Sequence, residues 1–223
     1  MMMNPIHPVH LRRGATLRNE FVSNHPLPRF TVIPDFVRRE LIEDALAGCK
    51  RAHFETYCGY SMTEDGADLK SQYREPDESA YYVTIHKRSR TPIPEIVRLK
   101  DLFRTAESIA ALNELTDAGI TRMYEPDVLT YWSPGSFLER HTDDVPHTHF
   151  RLVLSVSLTE RWGPAYGGAT LYAWKALHRH VRLQPRLNTA VMFVPFAGSD
   201  HWVEQVSNDA PVLTRFTWTA FFS

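Results

Sequence analysis

Residues 151–173, RLVLSVSLTERWGPAYGGATLYA, carry the pattern that decides the fold. A run rich in branched aliphatic residues covers 151–158, and a second apolar run covers 169–173. The glycine- and proline-containing sequence GPAYGG (163–168) lies between them. Short apolar runs bounded by turn sequences are typical of β-strands. This stretch therefore predicts two strands separated by a turn.

The same texture extends over the second half of the chain, from about residue 121. Turn sequences recur as SPGS (133–136), PRLN (185–188) and SNDAP (207–211), and apolar runs lie between them. The predicted strands of this half are 127–132, 137–141, 151–158, 169–173, 181–183, 190–194, 201–206 and 212–222. A series of short strands separated by turns fits a double-sheet jelly roll.

Helical periodicity marks the first half of the chain. Apolar residues fall on one face of a helix over 36–52, with Asp35 in the N-cap position. Helical spacing returns between Pro94 and Gly119 as two short helices. The remaining predictions are strands at 30–33 and 80–86, an irregular arm at 1–25 and a mobile loop at 61–80.

Helices before residue 120 and strands after it predict a mostly β fold with helical support. The specific prediction is a double-stranded β-helix (jelly roll) with N-terminal helices packed on one sheet. We expect 1–223 to form a single domain. In it, 1–120 would supply the arm, helices and lid, and 121–223 the jelly-roll core.

Composition excludes several classes of protein. Lys and Arg number 25 against 26 Asp and Glu, so no basic excess points to a nucleic-acid partner. No apolar stretch approaches the roughly 18 residues of a membrane span, and no secretory signal is visible. Cys49 and Cys58 are the only cysteines, which excludes a disulfide scaffold and a four-cysteine zinc site. We expect a cytoplasmic protein without membrane attachment, and the sequence indicates no particular oligomeric state.

Two histidines and a carboxylate form a candidate metal site. His141 and Asp143 are two residues apart at the end of a predicted strand, so both side chains point to the same side. His201 begins another predicted strand. Two histidines and one carboxylate make up the facial triad of non-haem Fe(II) oxygenases, which leaves coordination positions open.

Arg215 is the fourth candidate residue, in the mostly apolar strand VLTRFTWTAFF (212–222). A buried arginine is costly unless a carboxylate pairs with it. The distal carboxylate of an organic diacid fits this requirement, because a guanidinium can bind it through two parallel hydrogen bonds.

Residues 121–222 resemble the prolyl-4-hydroxylase-like branch of the Fe(II)/2-oxoglutarate dioxygenases. The resemblance rests on the order and spacing of a whole series of motifs, none of which is specific alone. The series is Tyr131, Pro134-Gly135, Phe137, HTD (141–143), RLVLSVSLTERW from Arg151, GGATL from Gly167, PRLNTAVMFVP (185–195), His201 followed by VEQV, and RFTWTAFF from Arg215.

The resemblance implies that His141, Asp143 and His201 bind Fe(II) and take part in catalysis. It implies a hydroxylation of an unactivated C–H bond that consumes 2-oxoglutarate and O2 and releases succinate and CO2. Ascorbate is allowed as a reductant. The implied substrate is a small amino-acid-like metabolite or a prolyl residue.

The resemblance also implies a binding pocket for 2-oxoglutarate. Arg215 would bind the C5 carboxylate, and Tyr131 would line the same pocket. Ser157 stands where some relatives place a tyrosine that touches this carboxylate. The serine departs from that pattern and leaves open which group supplies the second hydrogen bond. We expect 61–80 and 86–93 to cover the iron.

Other interpretations remain open at this point. The rival from another class is a non-catalytic, cupin-like metal-binding or sensing module, against which Arg215 and the intact Asp143 argue. A zinc hydrolase with the same ligands would need a general base, and the sequence offers no convincing one. If Arg215 is misaligned, Arg151 is the next candidate for the cation that binds the co-substrate.

Overall fold

The computed structural model describes residues 3–22, 29–61, 69–72, 82–124, 127–144, 149–174, 178–196 and 198–223. Their helices are α1 (Pro8–Arg12), α2 (Gly14–Val22), α3 (Arg39–Arg51), α4 (Pro94–Phe103) and α5 (Ala106–Thr116). Their strands are β1 (Phe30–Ile33), β2 (Glu55–Ser61), β3 (Leu69–Gln72), β4 (Tyr82–Arg88), β5 (Val128–Tyr131), β6 (Phe137–His141), β7 (Leu152–Ser157), β8 (Thr170–Trp174), β9 (Arg179–Leu183), β10 (Thr189–Phe193), β11 (Ser199–Val203) and β12 (Phe216–Phe222). Among these described helices, none is both long and apolar enough to cross a lipid bilayer.

The strands form two antiparallel half-sheets. The larger half-sheet has the order β1-β10-β7-β12-β5, and the smaller has the order β6-β11-β8-β9. Strand β4 joins them, because it pairs with β5 through Lys87 and Tyr131 and with β6 through Ile85 and Phe137. Strand β2 pairs with β4 and β3 outside this path. The predicted jelly roll is confirmed, and strands from before residue 120 take part in it, β1 in the larger half-sheet and β4 between the two.

Alternation along the strands separates the helix-facing side of the larger half-sheet from its inner side. On β12, Phe216, Trp218 and Ala220 are fully buried in the main core together with residues of the helices. Their neighbours Thr217 and Thr219 face the space between the half-sheets. Because successive side chains of a strand point to opposite faces, one strand serves both the core and the cavity.

The helices pack on the outer face of the larger half-sheet, as predicted. Helix α3 buries Leu41, Ile42 and Cys49, which lie on one face at helical spacing. The two predicted helices of the 94–119 stretch are present as α4 and α5. Burial raises the pKa of the Cys49 thiol to about 12, so this cysteine is a core residue rather than a nucleophile.

The predicted N-cap of α3 at Asp35 is wrong. The helix begins at Arg39, and Asp35 lies in a turn with φ of 52°. The backbone N–H groups of Phe36 and Val37 donate to the backbone and side-chain oxygens of Asn188. These N–H groups are hydrogen-bonded to Asn188, which is distant in sequence, so they do not belong to the first turn of the helix.

The N-terminal arm is more regular than predicted. Its polar sequence shows little periodicity, yet Pro8–Arg12 and Gly14–Val22 are helical. Leu17 and Phe21, one helical turn apart, are buried in the main core. Tertiary packing of these two side chains therefore selects a helix that the weak sequence pattern did not indicate.

The predicted loop at 61–80 is partly strand, since Ser61 ends β2 and Leu69–Gln72 form β3, which pair with each other. Residues 62–68 and 73–81 lie outside the described residues, and with them most of the predicted lid. In the second lid segment, 86–93, Arg88 lines the cavity described below.

Candidate functional site

A cavity of about 900 Å3 lies between the two half-sheets. Many of the side chains that line it carry hydroxyl groups. Those of the larger half-sheet are Thr130, Ser155, Ser157, Thr189, Thr217 and Thr219. The smaller half-sheet contributes Tyr172 and the predicted metal ligands. The cavity therefore offers both metal-binding and hydrogen-bonding groups to one enclosed ligand.

His141, Asp143 and His201 come together on the wall of this cavity. The pairing of β6 with β11 places His141 directly opposite His201, and Asp143 follows the end of β6. The Nε2 atoms of His141 and His201 lie 3.8 Å and 3.7 Å from the two oxygens of Asp143. One metal ion with bonds of about 2.1 Å can touch both atoms of each pair.

Hydrogen bonding prepares His141 for a metal. Its Nδ1 lies 2.9 Å from the carbonyl oxygen of Glu139. A carbonyl only accepts, so Nδ1 carries the proton and the lone pair of Nε2 points toward Asp143. The ligand atoms of His141, Asp143 and His201 all lie within 4.8 Å of one another.

Burial controls the protonation of the other two residues. The side chains of Asp143 and His201 are only 16% and 13% exposed. Burial, with a further contribution from His141, holds the pKa of His201 well below its usual range. Burial raises the pKa of Asp143, and neighbouring His141 partly offsets this. The charged form of a buried carboxylate is unfavourable without a positive partner. Asp143 beside a neutral imidazole therefore favours the binding of a cation.

An ion pair stabilises the two strands that carry the histidines. Arg140 Nε donates to Asp200 Oδ2 at 2.7 Å, and the Asp200 side chain is 8% exposed. The Arg140 guanidinium also lies over the ring of Trp202, 5.2 Å from its centroid. Since Arg140 precedes His141 and Asp200 precedes His201, this pair links the two strands directly beside the histidines.

Arg215 lies at another part of the cavity wall and is 1% exposed. Its guanidinium carbon is 4.9 Å from the ring centroid of Trp132 and 5.8 Å from that of Trp162. Both distances fall within the range of cation–π attraction. Burial lowers the pKa of Arg215 to about 9, so the group keeps its positive charge at neutral pH.

Several polar atoms beside the cavity lack partners within the described part of the chain. Arg215 Nη2 donates to the Gly168 carbonyl oxygen, whereas Nε and Nη1 of Arg215 have no acceptor. The Ser157 hydroxyl is also buried without a hydrogen bond. Leaving such groups unsatisfied costs about 1–3 kcal/mol each, and more for a charged donor. These groups are therefore suited to an anionic ligand.

The glycine pair Gly167-Gly168 leaves room for Arg215. Both residues have φ of +63°, which glycine adopts without strain. A Cβ atom at Gly168 would lie 3.2 Å from Arg215 Nε, and one at Gly167 would lie 2.3 Å from the Gln205 carbonyl oxygen. The pair thus allows β8 to approach both Arg215 and the segment after β11.

The expected pocket role of Tyr131 has no support in its position. Tyr131 is 5% exposed and packs in the main core against Phe54 and Phe216. Its hydroxyl accepts a hydrogen bond from the Leu213 backbone N–H at 2.8 Å. The next residue, Trp132, lines the cavity instead. Successive side chains of a strand point to opposite faces, so these two neighbours lie on different sides of β5.

Arg151, the alternative cation, is exposed and donates to the carbonyl of Gly119. Two functional candidates were missed by sequence reasoning: Trp132, which lies against Arg215, and Tyr172, which lines the cavity beside His201. The only sequence signal for Tyr172 is its place in the predicted strand 169–173, where an inward position is one of two choices.

The donor set fits the ligands that the sequence predicts. Two imidazoles and one carboxylate with open positions suit Fe(II). The unpaired N–H groups of Arg215, which face the same cavity, suit a carboxylate. Of the described residues, His141, Asp143 and His201 form the one cluster suited to hold a metal.

The second half of the chain is similar in sequence to a known family. Residues 126–223 match the model of the 2OG-Fe(II) oxygenase superfamily. No curated protein is significantly similar to the chain in sequence.

Solved structures share the fold at low sequence identity. A prolyl hydroxylase from Trichoplax adhaerens, in complex with a peptide fragment of the hypoxia inducible factor oxygen degradation domain, has a TM-score of 0.64 at 14% identity, covering 97% of this chain and 93% of that one. A Pseudomonas putida prolyl-4-hydroxylase has a TM-score of 0.61 at 16% identity, covering 94% and 97%.

A 2OG-Fe(II) oxygenase family oxidoreductase from Burkholderia pseudomallei has a TM-score of 0.59 at 13% identity, covering 92% of this chain and 90% of that one. Fold and family therefore agree, and a non-catalytic module is not favoured. Residues 126–223 are thus similar in sequence to 2OG-Fe(II) oxygenases, the chain shares the fold of these solved structures, and the cluster of His141, Asp143 and His201 suits Fe(II).

Proposed function

We propose that this protein hydroxylates an unactivated C–H bond of a small amino-acid-like metabolite or a prolyl residue. One oxygen atom of O2 enters the product, the other enters succinate, and 2-oxoglutarate loses CO2. The observation that carries the proposal is that His141, Asp143, His201 and the unpaired N–H groups of Arg215 line one cavity.

His141, Asp143 and His201 would hold the iron, through Nε2 of each histidine and a carboxylate oxygen of Asp143. When bound, Fe(II) and 2-oxoglutarate would activate O2, which supplies the oxidising power that the protein's own side chains lack. The protein contributes the arrangement: the β6–β11 register positions the histidines, and the hydrogen bond to Glu139 keeps Nε2 of His141 available.

Arg215 would bind the distal carboxylate of 2-oxoglutarate. Its free Nε and Nη1 can form two charge-assisted hydrogen bonds, while Nη2 stays on the Gly168 carbonyl. The carboxylate would compensate a guanidinium that is buried with no ion pair to any described residue. Ser157, also unpaired and on the same cavity, would lie close enough to add a hydroxyl. No role is proposed for Tyr131.

Two observations support the proposed substrate class. The cavity of about 900 Å3 is larger than a five-carbon diacid requires, which leaves space for part of a second molecule. Among the similar structures are prolyl hydroxylases, one of them bound to a peptide. We propose that 61–80 and 86–93 cover this space and that 1–223 act as a single domain. We also propose a cytoplasmic location. We propose no nucleic-acid partner, which the net charge of −1 supports.

Turnover tests the proposal. The purified protein with Fe(II), O2 and 2-oxoglutarate is incubated with free amino acids, prolyl peptides and related metabolites. The expected product is about 16 Da heavier than its substrate and forms in step with succinate. Arg215→Ala is the matched negative control. Oxidation of a substrate without any need for 2-oxoglutarate would overturn the proposal, and so would a wild-type protein that binds no 2-oxoglutarate in the presence of metal.

A further inference from the structure

We propose that the hydroxyl of Tyr172 donates a hydrogen bond to the distal carboxylate of 2-oxoglutarate, in addition to those from Arg215 and Ser157. The inference rests on the proposed function, and it adds a residue of the smaller half-sheet to those that bind the co-substrate. Arg215 and Tyr172 would then hold the carboxylate from two sides of the cavity.

The position of Tyr172 places its ring at the metal site. On β8 it is the cross-strand partner of His201 on β11. The two rings are nearly parallel, with centroids 5.8 Å apart and an interplanar angle of 18°. Phe193 packs against both rings, at 5.4 Å and 5.5 Å. The ring centroid of Phe30, on the edge strand β1, lies 5.0 Å from that of Tyr172. These contacts leave the ring little freedom to turn.

The electrostatic neighbours of the Tyr172 hydroxyl are Asp143 and Arg215. Burial raises the pKa of Tyr172, the carboxylate of Asp143 raises it further, and the guanidinium of Arg215 lowers it. Arg215 in turn is influenced by Tyr172. Tyr172, Asp143 and Arg215 all line the same cavity, in which a bound ligand would meet all three side chains.

The Tyr172 hydroxyl has no competing partner. Within the described ranges no hydrogen bond to it is formed, although the residue is only 4% exposed. A tyrosine hydroxyl inside a protein normally finds a partner, either a protein group or a molecule in the adjoining cavity. Tyr131 illustrates the usual case, because its hydroxyl is occupied by the Leu213 backbone N–H. The unpaired hydroxyl of Tyr172 therefore points to a ligand in the cavity it lines.

Ser157 and Tyr172 lie on opposite half-sheets, on β7 and β8. The serine hydroxyl is unpaired as well, and both residues line the cavity that also reaches Arg215. A serine hydroxyl lies one bond beyond Cβ, whereas a tyrosine hydroxyl lies at the far end of its ring and can reach further into the cavity. The tyrosine on β8 thus adds a donor from the half-sheet opposite Ser157.

The experiment measures binding and requires no turnover. 2-Oxoglutarate is titrated calorimetrically, without oxygen, into Mn(II)-loaded wild type, Tyr172→Phe and the matched control Tyr124→Phe, whose tyrosine packs on Phe150 outside the cavity. A hydrogen bond to a carboxylate is expected to strengthen binding by about 10- to 100-fold. We expect that loss in Tyr172→Phe alone, with unchanged Mn(II) affinity.

A second probe identifies the carboxylate. 2-Oxobutyrate has the same keto-acid head without the distal carboxylate, and Tyr172→Phe should bind it like the wild type. An equal loss for both acids, a loss of Mn(II) affinity, or 2-oxoglutarate binding unchanged from wild type would each overturn the inference. A wild-type protein that fails to bind 2-oxoglutarate would instead overturn the proposed function, so the two failures are distinguishable.

Discussion

The Gly168 carbonyl accepts a hydrogen bond from Arg215 Nη2, and the missing side chain of the same glycine leaves space for Arg215 Nε. Gly168 thus orients the guanidinium twice, by accepting from one of its nitrogens and by leaving room beside another. The two nitrogens that remain unpaired then face the cavity between the half-sheets.

Gly168→Ala should weaken 2-oxoglutarate binding more than metal binding. The added Cβ would lie 3.2 Å from Arg215 Nε and 3.0 Å from Val206 Cγ2, so the guanidinium has to shift. Gly135→Ala is the matched control, because Gly135 also has positive φ but no atom within 4 Å of its Cβ. Both changes should cost about 1–3 kcal/mol of stability through backbone strain. Equal 2-oxoglutarate affinities in the two variants would contradict this role of Gly168.

Arg215→Ala should raise the Kd for 2-oxoglutarate by two or more orders of magnitude. Two charge-assisted hydrogen bonds of about 1.5–3 kcal/mol each are lost, and each 1.4 kcal/mol is tenfold. Arg215→Lys should be intermediate, because an ammonium cannot bind both oxygens as a fork. Anaerobic titration of the metal-loaded protein measures this. The exposed Arg151 provides the control, and a large loss in Arg151→Ala without one in Arg215→Ala would reverse the assignment.

Removal of any residue of the triad should abolish metal binding. His141→Ala, Asp143→Ala and His201→Ala each take away a direct ligand, and we expect a loss of more than about 100-fold in Fe(II) affinity. The visible band that forms when 2-oxoglutarate is added to the Fe(II) protein without oxygen should disappear in each variant. Asp144→Asn is the control, since Asp144 is the exposed neighbour of Asp143. Full metal affinity in any triad variant would refute the proposed ligand set.

The N-terminal helices should lose stability in mild acid through His10. His10 is 5% exposed, its Nε2 lies 3.0 Å from the carbonyl of Asp35, and its Nδ1 has no partner among the described residues. Burial lowers the pKa of His10 below its ordinary value of 6.5. The unfolded chain therefore binds this proton first as the pH falls.

The contribution of His10 to the free energy of unfolding is thus complete above about pH 6.5 and declines from there to the folded-state pKa. The slope is at most about 1.4 kcal/mol per pH unit for one proton. Denaturant unfolding at pH 7 and pH 5.5 measures it. His10→Phe, which can pack on Phe36, should reduce the difference, whereas exposed His53→Gln should leave it unchanged. An equal pH dependence in wild type and His10→Phe would contradict this prediction.

Local patterns in the sequence were sufficient for most of the architecture. The apolar runs of the second half all appear as strands, with ends shifted by a few residues, and the periodic stretches at 36–52 and 94–119 appear as helices. These features are local, because a strand or an amphipathic helix is recorded in the spacing of neighbouring residues. The His141-x-Asp143 pair could be predicted for the same reason, since residues two apart on a strand share a face.

Features that depend on contacts between distant segments required the tertiary structure. The arm helices form because Leu17 and Phe21 enter a core built by other elements. Asp35 is not a cap because the Asn188 loop takes the neighbouring N–H groups. Neither contact can be predicted from residues that are adjacent in the sequence.

The functional site likewise has features that the sequence predicted and features that only the tertiary structure decided. The residue types at 141, 143, 201 and 215 predicted a metal and an anion, but the face of each strand was decided by pairing. Tyr131 and Trp132 are adjacent, yet one enters the core and the other faces Arg215. Tyr172 meets His201 only through the register of β8 with β11. A strand alternates its faces at every residue, so hydrogen bonding to distant strands determines which side chains reach the cavity.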